Sequence, residues 1–118
     1  LARLTRRQIL TVPFGNVTSL LRYRAHCGGV LPPLDLDALL RLWEEGRGTG
    51  VCFEVVGAFG RLLTALGYDA RPTPGFIAGF MGGHQALVVT LDGGRQYLVD
   101  AGNGAPLFAP VPIGPVVE

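Results

Sequence analysis

"GTGVCFEVVGAF", residues 48–59, places a cysteine where a glycine-rich stretch gives way to a run with helical spacing. Val55, Phe59, Leu62, Leu63 and Leu66 recur at i, i+4, i+7, i+8 and i+11, which predicts one apolar stripe of a helix closed by Gly67. Gly57 and Gly60 fall inside it and weaken its intrinsic propensity by roughly 1 kcal/mol each relative to alanine. The helix is therefore expected to depend on packing, with the two glycines admitting a close neighbour. Cys52 at its start has two readings. Free cysteine is among the most buried residue types, whereas a thiol at a helix N-terminus lies near the positive end of the dipole and near unpaired N–H groups, which favour the nucleophilic thiolate. Glycines 46, 48 and 50 add a further expectation, a backbone that a substrate can approach closely.

On the N-terminal side, Leu1, Leu4, Ile9 and Leu10 among three arginines predict a short helix ended by the turn "VPFGN" at 12–16. The stretch "SLLRYRAHCGGVLPP" (19–33) fits either helix or loop. "LDLDALLRLWEEG" (34–46) reads as a helix with an aspartate start, Leu36, Leu39, Leu40 and Trp43 at helical spacing, and Gly46 as its stop. Beyond Gly67 the period changes. "YDARPTPGFIAGFMGG" (68–83) reads as extended pieces broken by proline and glycine, and "HQALVVTLDGGRQYLVDAG" (84–102) as a β-hairpin. The Pro-rich tail from Pro106 onward is expected to lie extended. Helices followed by antiparallel strands define an α+β fold, with residues 1–118 in a single domain.

Composition narrows the function. Ten basic and nine acidic residues form no block, which argues against nucleic acid or an anionic membrane as the main partner and leaves small-molecule chemistry. No apolar run approaches the roughly 20 residues of a membrane span, and the first residues do not form a signal peptide, so a cytoplasmic location is expected. Two cysteines, Cys27 and Cys52, are too few for a disulfide framework. The sequence starts at Leu1 without a methionine and stops at Glu118 without a closing element, as a part of a longer protein would.

A thiol nucleophile needs a base, and the histidines are His26 and His84. If "DGG" (92–94) is a three-residue loop, Leu91 pairs with Arg95, Ala86 lies opposite Asp100, and His84 is its diagonal neighbour on the same face. A turn made of Gly93 and Gly94 alone would slip the register by one and separate the two. Asp100 sits inside the apolar "YLVDAG", where an unpaired carboxylate is costly, so a partner is expected. A carboxylate that orients an imidazole completes what a thiol–imidazole pair requires. The competing readings are a solvent-facing edge histidine and an aspartate that caps the turn "AGNG". A metal site from His26, Cys27, Cys52 and His84 lacks paired ligand spacing, and "GRGTG" lacks the Gly-Lys-Ser/Thr of a phosphate loop.

Taken together, a cysteine on a helix followed by a histidine and an aspartate on adjacent strands resembles the arylamine N-acetyltransferases. "VPFGN" (12–16) is similar to that family's Pro-Phe-Glu-Asn, "RGTGVCFE" (47–54) to its Arg-Gly-Gly-Tyr-Cys-Phe-Glu, "GGHQALVV" (82–89) to its histidine segment, and "YLVDAGNG" (97–104) to its Val-Asp-Val-Gly-Phe-Gly. The resemblance implies a cysteine-proteinase-like core, with residues 1–118 supplying the helical part and the start of a β-barrel. It implies Cys52 as acyl-accepting nucleophile, His84 as base and Asp100 as the residue that orients it. It also implies acetyl-CoA as acyl donor, an aromatic amine or hydrazine as acceptor and ping-pong order; from the ligand spacing above, no metal is expected. Gly15 stands where the family has glutamate, Val51 where it has tyrosine, and Asn103 where it has phenylalanine; Arg47 lies one residue further from the cysteine. Two rivals remain: a transglutaminase-like or peptidase-like Cys-His-Asp hydrolase, and a non-catalytic remnant or binding domain.

Overall fold

The computed structural model describes residues 1–27, 29–30, 35–103 and 107–114. Helices α1 (Ala2–Thr11), α2 (Val17–Ala25), α3 (Leu36–Glu44) and α4 (Cys52–Ala65) precede strands β1 (Asp69–Ile77), β2 (Phe80–Thr90), β3 (Gln96–Val99) and β4 (Val111–Ile113). The strands form one antiparallel sheet in the order β1-β2-β3-β4. Helices then antiparallel strands is the α+β arrangement expected from the patterning. Among the described residues no helix is long and apolar enough to cross a membrane.

The core lies between α4 and the sheet. Val55, Val56, Phe59 and Leu63 meet Leu87, Val89, Val99 and Ala101, with Leu1, Leu4, Ile9 and Val12 of the first segment and Trp43 of α3 packed around them. The buried arc of α4 differs from the stripe read in the sequence: Val56 and Ala58 belong to it, while Leu62 and Leu66 are 44% and 55% exposed. The sheet covers one side of the helix and α3 touches another, so neighbouring positions 55/56 and 58/59 are buried together. A methyl group at Gly60 would lie 3.2 Å from Leu87 Cδ2, the close approach that glycine was expected to allow. Gly57 meets nothing within 4 Å and instead borders an open groove of about 490 Å³.

Helix α3 starts as its sequence demands, with the Asp35 carboxylate accepting the Ala38 N–H at 3.0 Å. Of its four stripe residues, Leu40 is exposed and Leu39 is the one fully buried. The ambiguous stretch around Leu20 is helix α2. Thr18 is its one buried residue, so it carries no apolar stripe for the eye to find. The part of the same stretch at 31–33 falls outside the described residues.

The segment 68–83 is more ordered than its prolines suggested. Asp69–Ile77 pairs with Phe80–Thr90 as one hairpin, turning at Ala78 and Gly79, with a bulge between Gly75 and Phe76. Pro72 and Pro74 are tolerated because β1 is an edge strand, where a missing N–H faces no partner. The next turn is the three-residue loop: Leu91 N–H donates to Arg95 C=O at 2.9 Å, and the register runs Leu87 to Val99 and Val89 to Tyr97. The tail is extended and also paired, β4 lying along β3 with Ile113 opposite Gln96. Pro106 falls outside the described residues.

Candidate active site

Cys52 is the first residue of α4 and is buried. The loop before it is held by a short parallel bridge to the turn after α1, in which Gly15 N–H donates to Gly50 C=O at 3.0 Å and Gly50 N–H to Pro13 C=O at 3.1 Å. Thr18 and Thr49 add a reciprocal pair, the Thr49 N–H donating to the Thr18 hydroxyl at 2.7 Å. The departure at Gly15 has a packing reason here: a Cβ at that position would stand 3.2 Å from the side chain of Thr49, so glycine makes room for the threonine. Gly50 is also explained by packing, since a Cβ there would lie 2.8 Å from Trp43 Cζ2 and 2.9 Å from Val55 Cγ2. That is a neighbouring ring rather than a substrate, and the expectation for glycine 50 is corrected accordingly.

The hairpin brings His84 and Asp100 together. His84 Nε2 lies 2.8 Å from Asp100 Oδ2, with the two side chains 13% and 8% exposed. The slipped register is excluded by the pairing. Asp100 also caps the turn, because its Oδ1 accepts the Gly102 N–H at 3.2 Å while Oδ2 holds the imidazole. The carboxylate engages Nε2, and Nδ1 is the ring's other donor or acceptor atom. Gly102 then connects this pair to the cysteine. A Cβ at position 102 would lie 2.8 Å from Cys52 Cα and 3.0 Å from Cys52 Cβ, so the loop after Asp100 rests directly on the first residue of α4.

Other candidates fall elsewhere. His26 follows the last residue of α2 and Cys27, exposed, comes after it with φ near +50°. Among the described residues no group of three or more metal-ligating side chains converges. Arg47 pairs in solvent with Glu45 at 3.0 Å.

A cluster that sequence reasoning missed surrounds Glu54. This carboxylate, two residues after the cysteine and buried, accepts the Val51 N–H at 2.9 Å, the Ser19 hydroxyl at 3.1 Å and Arg22 Nη1 at 3.1 Å. It supplies half of a capping box. Val51 has no side-chain acceptor to return, and the Glu54 N–H goes to the Val51 carbonyl at 3.0 Å. A glutamate three places after the helix cap was the available signal, and the valine at the cap concealed it.

Cys52 opens α4, and the loop that follows the hydrogen-bonded His84–Asp100 pair rests on it; the same three residue types recur in thiol-based acyl transfer and hydrolysis. Similarity to known proteins narrows that class. The family model described as N-acetyltransferase matches residues 1–116, and the chain belongs to the arylamine N-acetyltransferase family. It is 32% identical over 125 aligned residues to the proansamycin X synthase of Amycolatopsis mediterranei (strain S699), covering 100% of this chain and 46% of that protein. The structure of the arylamine N-acetyltransferase from Mycobacterium abscessus superimposes with a TM-score of 0.79 at 29% identity, over 97% of this chain and 39% of that one. The chain thus spans less than half the length of either relative.

Proposed function

We propose that this chain carries the nucleophilic centre of an acyltransferase that moves an acetyl group from acetyl-CoA to the nitrogen of an aromatic amine or hydrazine, through a thioester on Cys52. His84 is the base and Asp100 the residue that orients it. The observation that supports this reading is the 2.8 Å contact between His84 of β2 and Asp100, with the loop that follows Asp100 packed against Cys52. We read residues 1–118 as one domain, the helical part and opening strands of a longer enzyme.

The steps follow from ordinary acid–base chemistry. The Cys52 thiol gives its proton to His84 Nδ1, and Asp100 stabilises the imidazolium through Nε2. The thiolate attacks the acetyl carbonyl, the bond to the coenzyme A sulfur breaks, and the imidazolium returns the proton to that leaving thiolate. The amine then attacks the Cys52 thioester, loses its proton to His84, and the cysteine thiolate departs. Helix geometry provides for the oxyanion. The first N–H groups of α4 have no intrahelical acceptor, and those of Val51 and Glu54 are already engaged, which leaves Cys52 and Phe53 as donors worth roughly 3 kcal/mol in the transition state. Beyond His84 the β1–β2 arm exposes Phe76, Phe80 and Met81, apolar surface that suits an aromatic acceptor. A free thiol is required throughout, which suits the cytoplasm.

Incubation with acetyl-CoA labelled in its acetyl group should leave the label on Cys52 as a thioester that an arylamine discharges to the amide. Cys52→Ser is expected to abolish this labelling with the fold retained, and Asp100→Asn to slow it by about a thousandfold or more by releasing the ring. Labelling near wild type in Cys52→Ser overturns the assignment. Release of acetate to water in place of amide marks a hydrolase instead.

A further inference from the structure

Glu54 is a buried carboxylate to which the acyl-transfer steps give no task. Its side chain is 6% exposed, and a carboxylate withdrawn from water in this way requires the three donors it has. Where its charge lies is the informative part. One oxygen is bonded to the Val51 N–H, on the residue that precedes Cys52, at the helix end whose free N–H groups favour a thiolate. Uncompensated, that negative charge opposes a second one on the sulfur. Arg22 reaches across from α2 with the compensating positive charge, its Nη1 at 3.1 Å from Glu54 Oε1.

We propose that Glu54 and Arg22 are a positioning pair for Cys52, the carboxylate fixing the turn into α4 and the guanidinium cancelling its charge so that the helix can carry a thiolate. The proposal rests on reading Cys52 as the nucleophile. Of the other charged groups described near this end, His84 and Asp100 face each other from the sheet, and Arg47 and Glu45 pair in solvent before α4.

The test is a charge cycle on thiol reactivity. In a Cys27→Ser background Cys52 is the single cysteine of residues 1–118, and the rate of its alkylation by iodoacetamide, located by peptide mapping, is followed against pH in the parent, Arg22→Gln, Glu54→Gln and the double variant, with circular dichroism and thermal melting as the check on folding. Arg22→Gln should move the midpoint up by about half to one pH unit, and Glu54→Gln should move it down by a similar amount. The double variant, with both charges gone, should return to within about 0.3 pH unit of the parent by the same reasoning. A pair that only pegs the fold behaves otherwise: the single variants lose stability without moving the midpoint, and the double variant is worse than either. That pattern overturns the proposal. Should Arg22→Gln fail to fold, an unmoved midpoint in Glu54→Gln overturns it equally. Thioester formation is scored separately, so a responsive midpoint without a thioester supports the pair while sinking acyl transfer.

Discussion

Helix α4 is held by two kinds of force, one along its length and one at its start. Along its length, Val55, Val56, Phe59 and Leu63 press against Leu87, Val89 and Val99 with almost no exposure. At its start it meets α2 and the preceding loop through hydrogen bonds and an ion pair: Thr18 with Thr49, and Glu54 with Val51, Ser19 and Arg22. The apolar end supplies stability in proportion to area, roughly 1.5–3 kcal/mol for each large side chain buried. The polar end supplies less net energy and more direction, since a hydrogen bond is strict in geometry while its net contribution is about 1 kcal/mol. The cysteine sits at the polar end. If Cys52 is the nucleophile proposed above, directional bonds fix it better than contacts that tolerate sliding.

Two substitutions set the ends against each other. Phe59→Ala removes the largest fully buried side chain among the described residues and is expected to cost about 3–5 kcal/mol, read as a fall of more than about 10 °C in the thermal midpoint. Cys52 alkylation at temperatures where the variant is folded should stay near the parent rate. Thr18→Val keeps the volume but removes the acceptor of the Thr49 N–H, and should cost about 1–3 kcal/mol. Its alkylation rate should change more than that of Phe59→Ala despite the smaller loss of stability. If the two variants rank the same way in both measurements, the division between stability and direction fails.

The same division explains what the sequence discloses. The register that unites His84 with Asp100 was legible because side-chain direction alternates along a strand, so the three-residue loop at 92–94 fixes which residues share a face. The existence of α4 was legible from periodicity, although its buried arc was not, since that depends on which elements close over it. The β1–β2 hairpin was obscured by Pro72 and Pro74, whose tolerance depends on β1 lying at the edge of the sheet formed by the described residues. The α2 contacts were hidden for a different reason. Ser19 and Arg22 reach a partner more than thirty residues away through polar atoms, and no pattern within α2 itself records that pairing.

The smallest expected effect belongs to the arginine that the motif would rank first. Arg47 stands in the segment resembling the family's Arg-Gly-Gly-Tyr-Cys, yet its partner is Glu45, and the two side chains are 72% and 55% exposed. An ion pair so placed is screened by water and salt, and holding two long side chains together offsets most of its attraction. Arg47→Ala should therefore change the thermal midpoint by no more than about 0.5 kcal/mol equivalent and leave the pH profile of Cys52 alkylation in place. The buried counterpart, Arg22 with Glu54, presents the same two functional groups at nearly the same distance. A large effect at Arg47 would mean that motif position, and not burial beside the helix end, decides which arginine serves the cysteine.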